Sequence, residues 1–142
     1  MIDLQVGQVL SLRIRYNNSG DIANRRHPYL IVATDEELNT VEIAQLDSLA
    51  GKEYKAMFKS NKVIYSDNPD EVVIDKDSYI QMDNTIKIEY NVGLLSFRRQ
   101  EDKLSSEKLT DTLNAYKKYH QQHYIDENKQ VYMDWEELTN LQ

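Results

Sequence analysis

Hydrophobic and polar residues alternate along the first third of the chain in a way that predicts three β-strands. In segment 6–16 the apolar face carries Leu10, Leu12, Ile14 and Tyr16, and polar residues fall between them. A nearly continuous apolar run follows at 29–34, and segment 41–46 alternates again before it ends at Asp47 and Ser48. A period of two is typical of a half-buried strand, and a short apolar run is typical of a fully buried one. These strands, joined by modest loops, predict an antiparallel meander.

The middle of the chain has shorter and weaker signals. Segment 52–58 fits either a short helix or an irregular strand, and 63–65 and 72–74 each predict a short strand. Residues 75–88 predict two more strands around a turn at Asp83 and Asn84. Several short strands with frequent turns favour a small barrel or sandwich.

A helix is predicted over 105–123. Ser105 is its candidate N-cap, and Leu104 and Leu109 have the spacing of a hydrophobic staple. The apolar stripe then recurs at helical spacing through Leu109, Leu113, Tyr116 and His120. We interpret this stripe as the face that packs on the sheet. His120 and His123 are three residues apart, but no third ligand of matching spacing is evident, so we assign them to the helix surface and predict no metal site.

Composition and length predict one mainly β (α+β) domain over 1–142, with a barrel at about 6–90, a helical part at about 104–124 and an acidic tail at 125–142. Segment 131–135 in that tail fits an edge strand or a docking element. No apolar run is long enough for a membrane helix, no signal sequence is evident, and there is no cysteine. We therefore expect a cytoplasmic protein without membrane partners.

The formal net charge is −7, which argues against bulk attraction to nucleic acid, yet the arginines are concentrated. Four of the six lie at Arg13, Arg15, Arg25 and Arg26, and the other two at Arg98 and Arg99. Arginine suits bidentate contact with phosphate. Arg25, Arg26 and His27 stand directly before Pro28 and the buried run at 29–34, where a rigid strand can hold them against an anionic ligand. Tyr16 and Tyr29, nearest this patch, are candidates for stacking on bases.

The order of these features resembles the MazF/PemK toxins of type II toxin-antitoxin systems. Five matches carry the resemblance over roughly 6–120: a first strand opening at Gly7, the Arg26–His27–Pro28 step into Tyr-Leu-Ile-Val, a strand ending at Asp47-Ser48, and the blocks at 77–88 and 104–109. In the family an arginine directly precedes the proline, where this chain has His27. The family often has Thr or Ser where this chain has Asp47.

The resemblance implies an SH3-like small barrel of the CcdB/PemK type with an appended C-terminal helix. It further implies a homodimer, a cognate antitoxin protein, and a metal-independent endoribonuclease without cofactors that cleaves single-stranded RNA by attack of the 2′-OH. Such chemistry requires a base, positive charge at the phosphorane and an acid for the leaving oxygen.

Four residues are our candidates for that catalysis. Arg26, or Arg25, supplies fixed charge; His27 acts as base or acid; Asp47 orients His27 or shares its proton; Ser48 donates to a phosphate oxygen. Arg13, Arg15, Arg25, Tyr16 and Tyr29 are the candidates for RNA binding. Bland interpretations remain open: His27 as a loop-capping histidine, and Asp47 as a turn residue or the ion-pair partner of Arg26. The alternative functions are a non-catalytic RNA- or protein-binding module of the same fold, and a protein-binding inhibitor similar to the gyrase-poisoning relatives of that fold.

Overall fold

The computed structural model describes residues 1–142, which form a mostly antiparallel α+β domain. The strands are β1 (Val9–Leu12), β2 (His27–Asp35), β3 (Thr40–Ser48), β4 (Asn61–Ile64), β5 (Ser78–Gln81), β6 (Thr85–Glu89) and β7 (Gln130–Met133). The helices are α1 (Ser106–Gln122) and α2 (Trp135–Leu141), and three short 3₁₀ helices span Glu53–Met57, Val92–Phe97 and Glu127–Lys129. No helix is both long and apolar enough to cross a membrane.

Strand β3 is the central strand, and its two edges are used differently. One edge pairs antiparallel with β2, which in turn pairs with β1. The other edge is divided: β6 pairs along Thr40–Ile43 and β5 along Leu46–Ser48, so the sheet splits into two branches. β4 pairs with β5, and β7 pairs parallel with β6. The sheet is not closed into a barrel.

The alternation along the strands sorts side chains onto two hydrophobic faces, as the sequence predicts. Tyr29 and Ile31 of β2 enter one cluster with the apolar residues of β1, β6 and β7. Leu30 and Val32 enter the second cluster, against which α1 packs. The first cluster is covered instead by α2 and the Val92–Phe97 helix. Both faces are therefore buried, which explains why β2 is apolar almost throughout.

The predicted strand over 6–16 is shorter than expected. Leu10, Leu12 and Ile14 are fully buried, as the alternation predicts, but regular pairing stops after Leu12. The reason lies at the other end of the chain: the side-chain amide of Gln142 accepts from the Arg13 backbone N–H at 3.0 Å and donates to its C=O at 2.7 Å. A side chain thus takes the place of a neighbouring strand.

The predicted strand at 72–74 is wrong. Val73 and Ile74 are buried in the second cluster, but the segment is an irregular loop. Both edges of β5 are already paired, with β3 and β4, so no adjacent edge of that strand is free to accept another. The loop is held to α1 by Glu71, which accepts from the Lys108 ammonium at 2.7 Å and from the Ser105 N–H at 2.9 Å.

The other sequence-predicted elements appear close to their expected places. The helix over 105–123 is α1, and Ser105 is its N-cap residue, although its side chain makes no capping bond. Segment 52–58 contains the 3₁₀ helix Glu53–Met57. The edge-strand interpretation of 131–135 is the correct one, since β7 pairs only with β6.

The acidic tail is integral to the fold. Val131, Met133 and Leu138 are buried in the first cluster, and Trp135 lies so close to Gly93 that a side chain there would overlap its ring. β7 therefore extends the sheet at its edge, and α2 packs on the face of the sheet that also contains Tyr29.

Candidate functional site: a cationic cleft

A cleft of about 270 Å³ lies where β2 begins and β3 ends. At this point β3 leaves β2 and continues against β5, so two branches of the sheet diverge. The cleft is lined by Arg25, Arg26, His27, Asp47 and Ser48. Its far wall is formed by residues 73–76 and Arg99. The structure therefore brings together all four residues that the sequence proposes for catalysis.

Four cationic side chains line this cleft without forming an ion pair. They are Arg25, Arg26, Lys76 and Arg99, and none lies within 4.0 Å of a carboxylate oxygen. The guanidinium of Arg26 lies 5.1 Å from the centre of the Phe97 ring, a cation–π contact that limits where the side chain can point. In a chain of net charge −7, unpaired cations gathered at one place create a local attraction for an anion.

His27 is the first residue of β2 and is half-buried, opposite Leu12 of β1. Burial lowers the pKa of His27 below its usual 6.5, the positive charge of Arg25 lowers it further, and Asp47 partly offsets both. A histidine of lowered pKa is neutral at physiological pH, so its ring has a free lone pair. That state is the one required of a general base.

Asp47 is held by three neighbours, and Arg26 is not one of them. Its carboxylate accepts from the Lys52 ammonium at 2.9 Å, from the Ser48 N–H at 2.8 Å and from the Tyr79 hydroxyl at 3.2 Å. Burial alone would raise the pKa of Asp47, but the bond and charge of Lys52, with the two other donors, hold the pKa below its usual value. The predicted ion pair of Asp47 with Arg26 is therefore wrong.

The hydroxyl of Ser48 accepts a hydrogen bond within the protein, and its own O–H proton remains available for donation. Its hydroxyl oxygen accepts from the Ala50 N–H at 3.2 Å, while the hydroxyl donates to no protein atom. Donation to a phosphate oxygen in the cleft is consequently open to it.

The residues proposed for RNA binding are divided by the fold. Arg25 lines the cleft, but Arg13 donates to the Ala23 carbonyl at 2.6 Å, and Arg15 pairs with Glu137 at 2.7 Å. The guanidinium of Arg15 is thus held in an ion pair with a residue of α2. Tyr29 is only 1% exposed and belongs to the core, so its assignment as a stacking residue is wrong. The physical reason is that both faces of β2 are buried, so the Tyr29 ring packs within the first hydrophobic cluster.

Tyr16, in contrast, is 42% exposed, but it lies beside a different cavity, with Gln45 and Gln81. His120 is also engaged within the fold, with Nε2 2.8 Å from the Met82 carbonyl oxygen and its ring against Tyr116. No group of three His, Cys, Asp or Glu side chains is arranged to hold a metal ion.

Two cleft cations and two Asp47 partners were missed by sequence reasoning. Arg99 had a signal, because Arg98-Arg99 is the second arginine group, but nothing local connects it with Arg26. Lys76 lies between two aspartates, a pattern that suggests a neutralised surface. Nothing in the sequence marks Lys52 or Tyr79 as a partner of Asp47. Tyr79 meets Asp47 only because β5 pairs with β3.

The fold and the cleft define a small α+β protein with a concentrated cationic site on an acidic chain. Comparison with protein-family models finds no match, and comparison with curated proteins finds none either.

Replacing Asp47 by Asn should lower the free energy of unfolding by about 1–2 kcal/mol, because the Lys52 pair and the Tyr79 bond are both weakened. The pKa of Asp47 is lowered by folding, so its stabilisation is present above its unfolded pKa and is lost as the pH falls through the folded pKa. Urea denaturation of the wild type and of Asp47→Asn at neutral and acidic pH measures this stabilisation. The difference in their free energies of unfolding should be smaller in acid.

Asp111→Asn is the matched control, because it removes a more exposed carboxylate from Lys62 and should change stability by less than about 0.5 kcal/mol. An equal loss in the two variants would contradict the structural role of Asp47.

Proposed function

We propose that this protein is a metal-independent endoribonuclease that cleaves single-stranded RNA at the cationic cleft. The observation that carries the proposal is the convergence of four unpaired cations with His27, Asp47 and Ser48 in one cleft. An RNA phosphate matches that charge, and its adjacent 2′-OH supplies a nucleophile without a cofactor.

Positive charge is the first requirement of the reaction. Attack of the 2′-oxygen on phosphorus builds negative charge on the phosphorane oxygens, and Arg26 and Arg25 neutralise it with donors already in position. Arg99 and Lys76, on the facing wall, hold the flanking phosphates. Ser48 donates its free hydroxyl to a phosphoryl oxygen.

Proton transfer is the second requirement. Neutral His27 accepts the 2′-OH proton as the O–P bond forms, and the bond from phosphorus to the 5′-oxygen breaks. The leaving 5′-oxygen takes its proton from water, which reaches the cleft from the exposed side of Arg99 and Lys76. The products are a 2′,3′-cyclic phosphate and a 5′-hydroxyl. Asp47 contributes by keeping Lys52 and the end of β3 in place.

The proposal extends to the MazF/PemK-like toxins as the class of protein. The strand order around β3, followed by a helix packed on the sheet, supports a relative of the SH3-like CcdB/PemK fold whose sheet is open where that fold forms a barrel. A homodimer and a cognate antitoxin are carried by the sequence resemblance over roughly 6–120, and a cytoplasmic setting is carried by the composition of the chain.

Purified protein incubated in EDTA with a mixed-sequence RNA tests the proposal. We expect discrete fragments with 2′,3′-cyclic phosphate and 5′-hydroxyl ends, identified by end-specific labelling and by mass spectrometry. Intact RNA under conditions in which the protein is folded and binds RNA would reject the nuclease.

A second candidate is a non-catalytic RNA-binding module with the same cleft. It is favoured by the bonding of Asp47, whose carboxylate is already occupied by Lys52, Ser48 and Tyr79 and leaves His27 without a hydrogen-bonded orienting partner. Salt-dependent RNA binding without cleavage identifies this candidate.

A further inference from the structure

A cavity of about 340 Å³ lies between helix α1 and the sheet, and it shares no lining residue with the cationic cleft. Its apolar wall is formed by Val32 and Ala33 of β2 and by Leu113 and Tyr116 of α1. A cavity of a few hundred cubic ångströms with an apolar wall and a few polar groups is typical of a site for a small molecule. The polar groups of this cavity therefore indicate which molecule fits it.

Glu42 of β3 brings a carboxylate without an ion pair to the cavity. The residue is half-buried, and the Tyr116 hydroxyl donates to its Oε2. Its Oε1 accepts no hydrogen bond from the protein, and Lys87, which stands opposite on β6, does not pair with it. A partly desolvated carboxylate is more stable beside a cation. The free oxygen of Glu42 therefore favours a ligand that carries an ammonium group.

His120 adds a second acceptor to the same cavity. Its Nε2 lies 2.8 Å from the Met82 carbonyl oxygen, and because a carbonyl oxygen only accepts, Nε2 carries the proton. In the neutral ring Nδ1 is then an acceptor, and no protein group donates to it. An ammonium group has several donors and no acceptor, so it matches the acceptors of Glu42 and His120.

Lys117 and Gln121 bring donors to the cavity. Both side chains are exposed on α1, the Lys117 ammonium forms no ion pair, and the Gln121 amide forms no hydrogen bond within the protein. An ammonium and an amide N–H together can hold a carboxylate. The cavity thus combines unpaired groups of both charges with an apolar wall.

We propose that this cavity binds a free α-amino acid with an apolar side chain. The ammonium group of the ligand donates to Glu42 and His120, and its carboxylate accepts from Lys117 and Gln121. The side chain packs on the apolar wall. A simple amine would leave the Lys117 ammonium without a partner, and a simple carboxylate would leave Glu42 without one, so the zwitterion is the better match. The inference concerns a second site and does not depend on the RNA chemistry proposed for the cationic cleft.

Isothermal titration calorimetry of the full chain with leucine tests the inference. Three analogues each lack one feature of leucine: isoamylamine lacks the carboxylate, isocaproate lacks the ammonium group, and glycine lacks the apolar side chain. We expect leucine to bind saturably at one site and each analogue to bind at least about tenfold more weakly, because each loses a charge-assisted hydrogen bond or the apolar contact.

Two variants with matched controls assign that binding to the cavity. Glu42→Gln removes the charge but keeps an acceptor for the Tyr116 hydroxyl, and it should weaken leucine binding at least about tenfold. Glu37→Gln removes an exposed, unpaired carboxylate in the turn after β2 and should leave binding unchanged. Lys117→Ala should remove the advantage of leucine over isoamylamine, whereas Lys118→Ala, also exposed on α1, should retain it. Thermal melts establish folding, and the exposed Lys117 keeps the test decisive if the Glu42 variant unfolds.

Each result supports or overturns the inference. Absence of leucine binding at millimolar concentrations overturns it, as does leucine binding that neither Glu42→Gln nor Lys117→Ala weakens. Isoamylamine that binds as tightly as leucine would assign the cavity to an organic cation, and isocaproate that binds as tightly would assign it to an organic anion; both results reject the amino acid. None of these titrations contains RNA, so failure of the proposed function and failure of this inference are observed separately.

Discussion

Arg26→Ala is expected to lower the rate of RNA cleavage on the order of a hundredfold or more, because it removes a fixed positive charge from the phosphorane. The Arg26 side chain is exposed and forms no ion pair, so its loss should leave the free energy of unfolding nearly unchanged. The measurement is a single-turnover cleavage rate with saturating protein, paired with a urea denaturation curve.

Arg98→Ala is the control for this experiment. Arg98 carries the same charge and lies outside the cleft, where it faces Glu101 at 3.7 Å. Both variants change the net charge of the chain equally, so a general electrostatic effect would affect them alike. Equal losses of cleavage would show that the Arg26 guanidinium has no specific role at the phosphate.

His27→Ala is expected to reduce cleavage by about a hundredfold or more while RNA binding remains within a few-fold of the wild type. The base must be neutral, and the pKa of His27 is lowered below 6.5 by burial and by Arg25. Cleavage by the wild type should therefore rise with pH up to that lowered pKa and then level off. The variant should lose this rise. Rates across pH 4.5–8 (about the range that brackets a histidine) provide the measurement, and added imidazole should restore part of the activity.

His123→Ala controls for the loss of a histidine, since His123 is exposed at the end of α1. A His27 variant that retains both the rate and the pH profile would exclude His27 as the base. If the wild type itself binds RNA but does not cleave it, the non-catalytic candidate is selected.

Local pattern determined most of the secondary structure because the strands alternate or run apolar over their whole length. The alternation around Leu10, Leu12 and Ile14 correctly predicted an inward face, and the run at 29–34 correctly predicted a strand buried on both faces. Helix α1 followed from its stripe through Leu113 and Tyr116. The arginine and histidine before Pro28 correctly marked the position of the cleft.

Where local pattern failed, a distant residue decided the outcome. Segment 72–74 has the composition of a strand but lies beside a sheet whose nearby edges are filled, so it remains a loop. The first strand ends early because Gln142 bonds the backbone of Arg13. The sequence left segment 131–135 of the acidic tail open between an edge strand and a docking element, and the free edge of β6, with which β7 pairs, decided for the strand.

The amino-acid sequence by itself determined that Arg25, Arg26 and His27 would stand at the start of a buried strand, since Pro28 and the apolar run at 29–34 are sufficient for that. Only the tertiary structure decided what surrounds them. Arg99 and Lys76 face the same cleft because the chain crosses the sheet between them, and Asp47 turns to Lys52 and Tyr79 because the split of the sheet places β5 beside it. Charged residues far apart in the sequence are brought together by the packing of the sheet, and a local sequence pattern does not predict such long-range contacts.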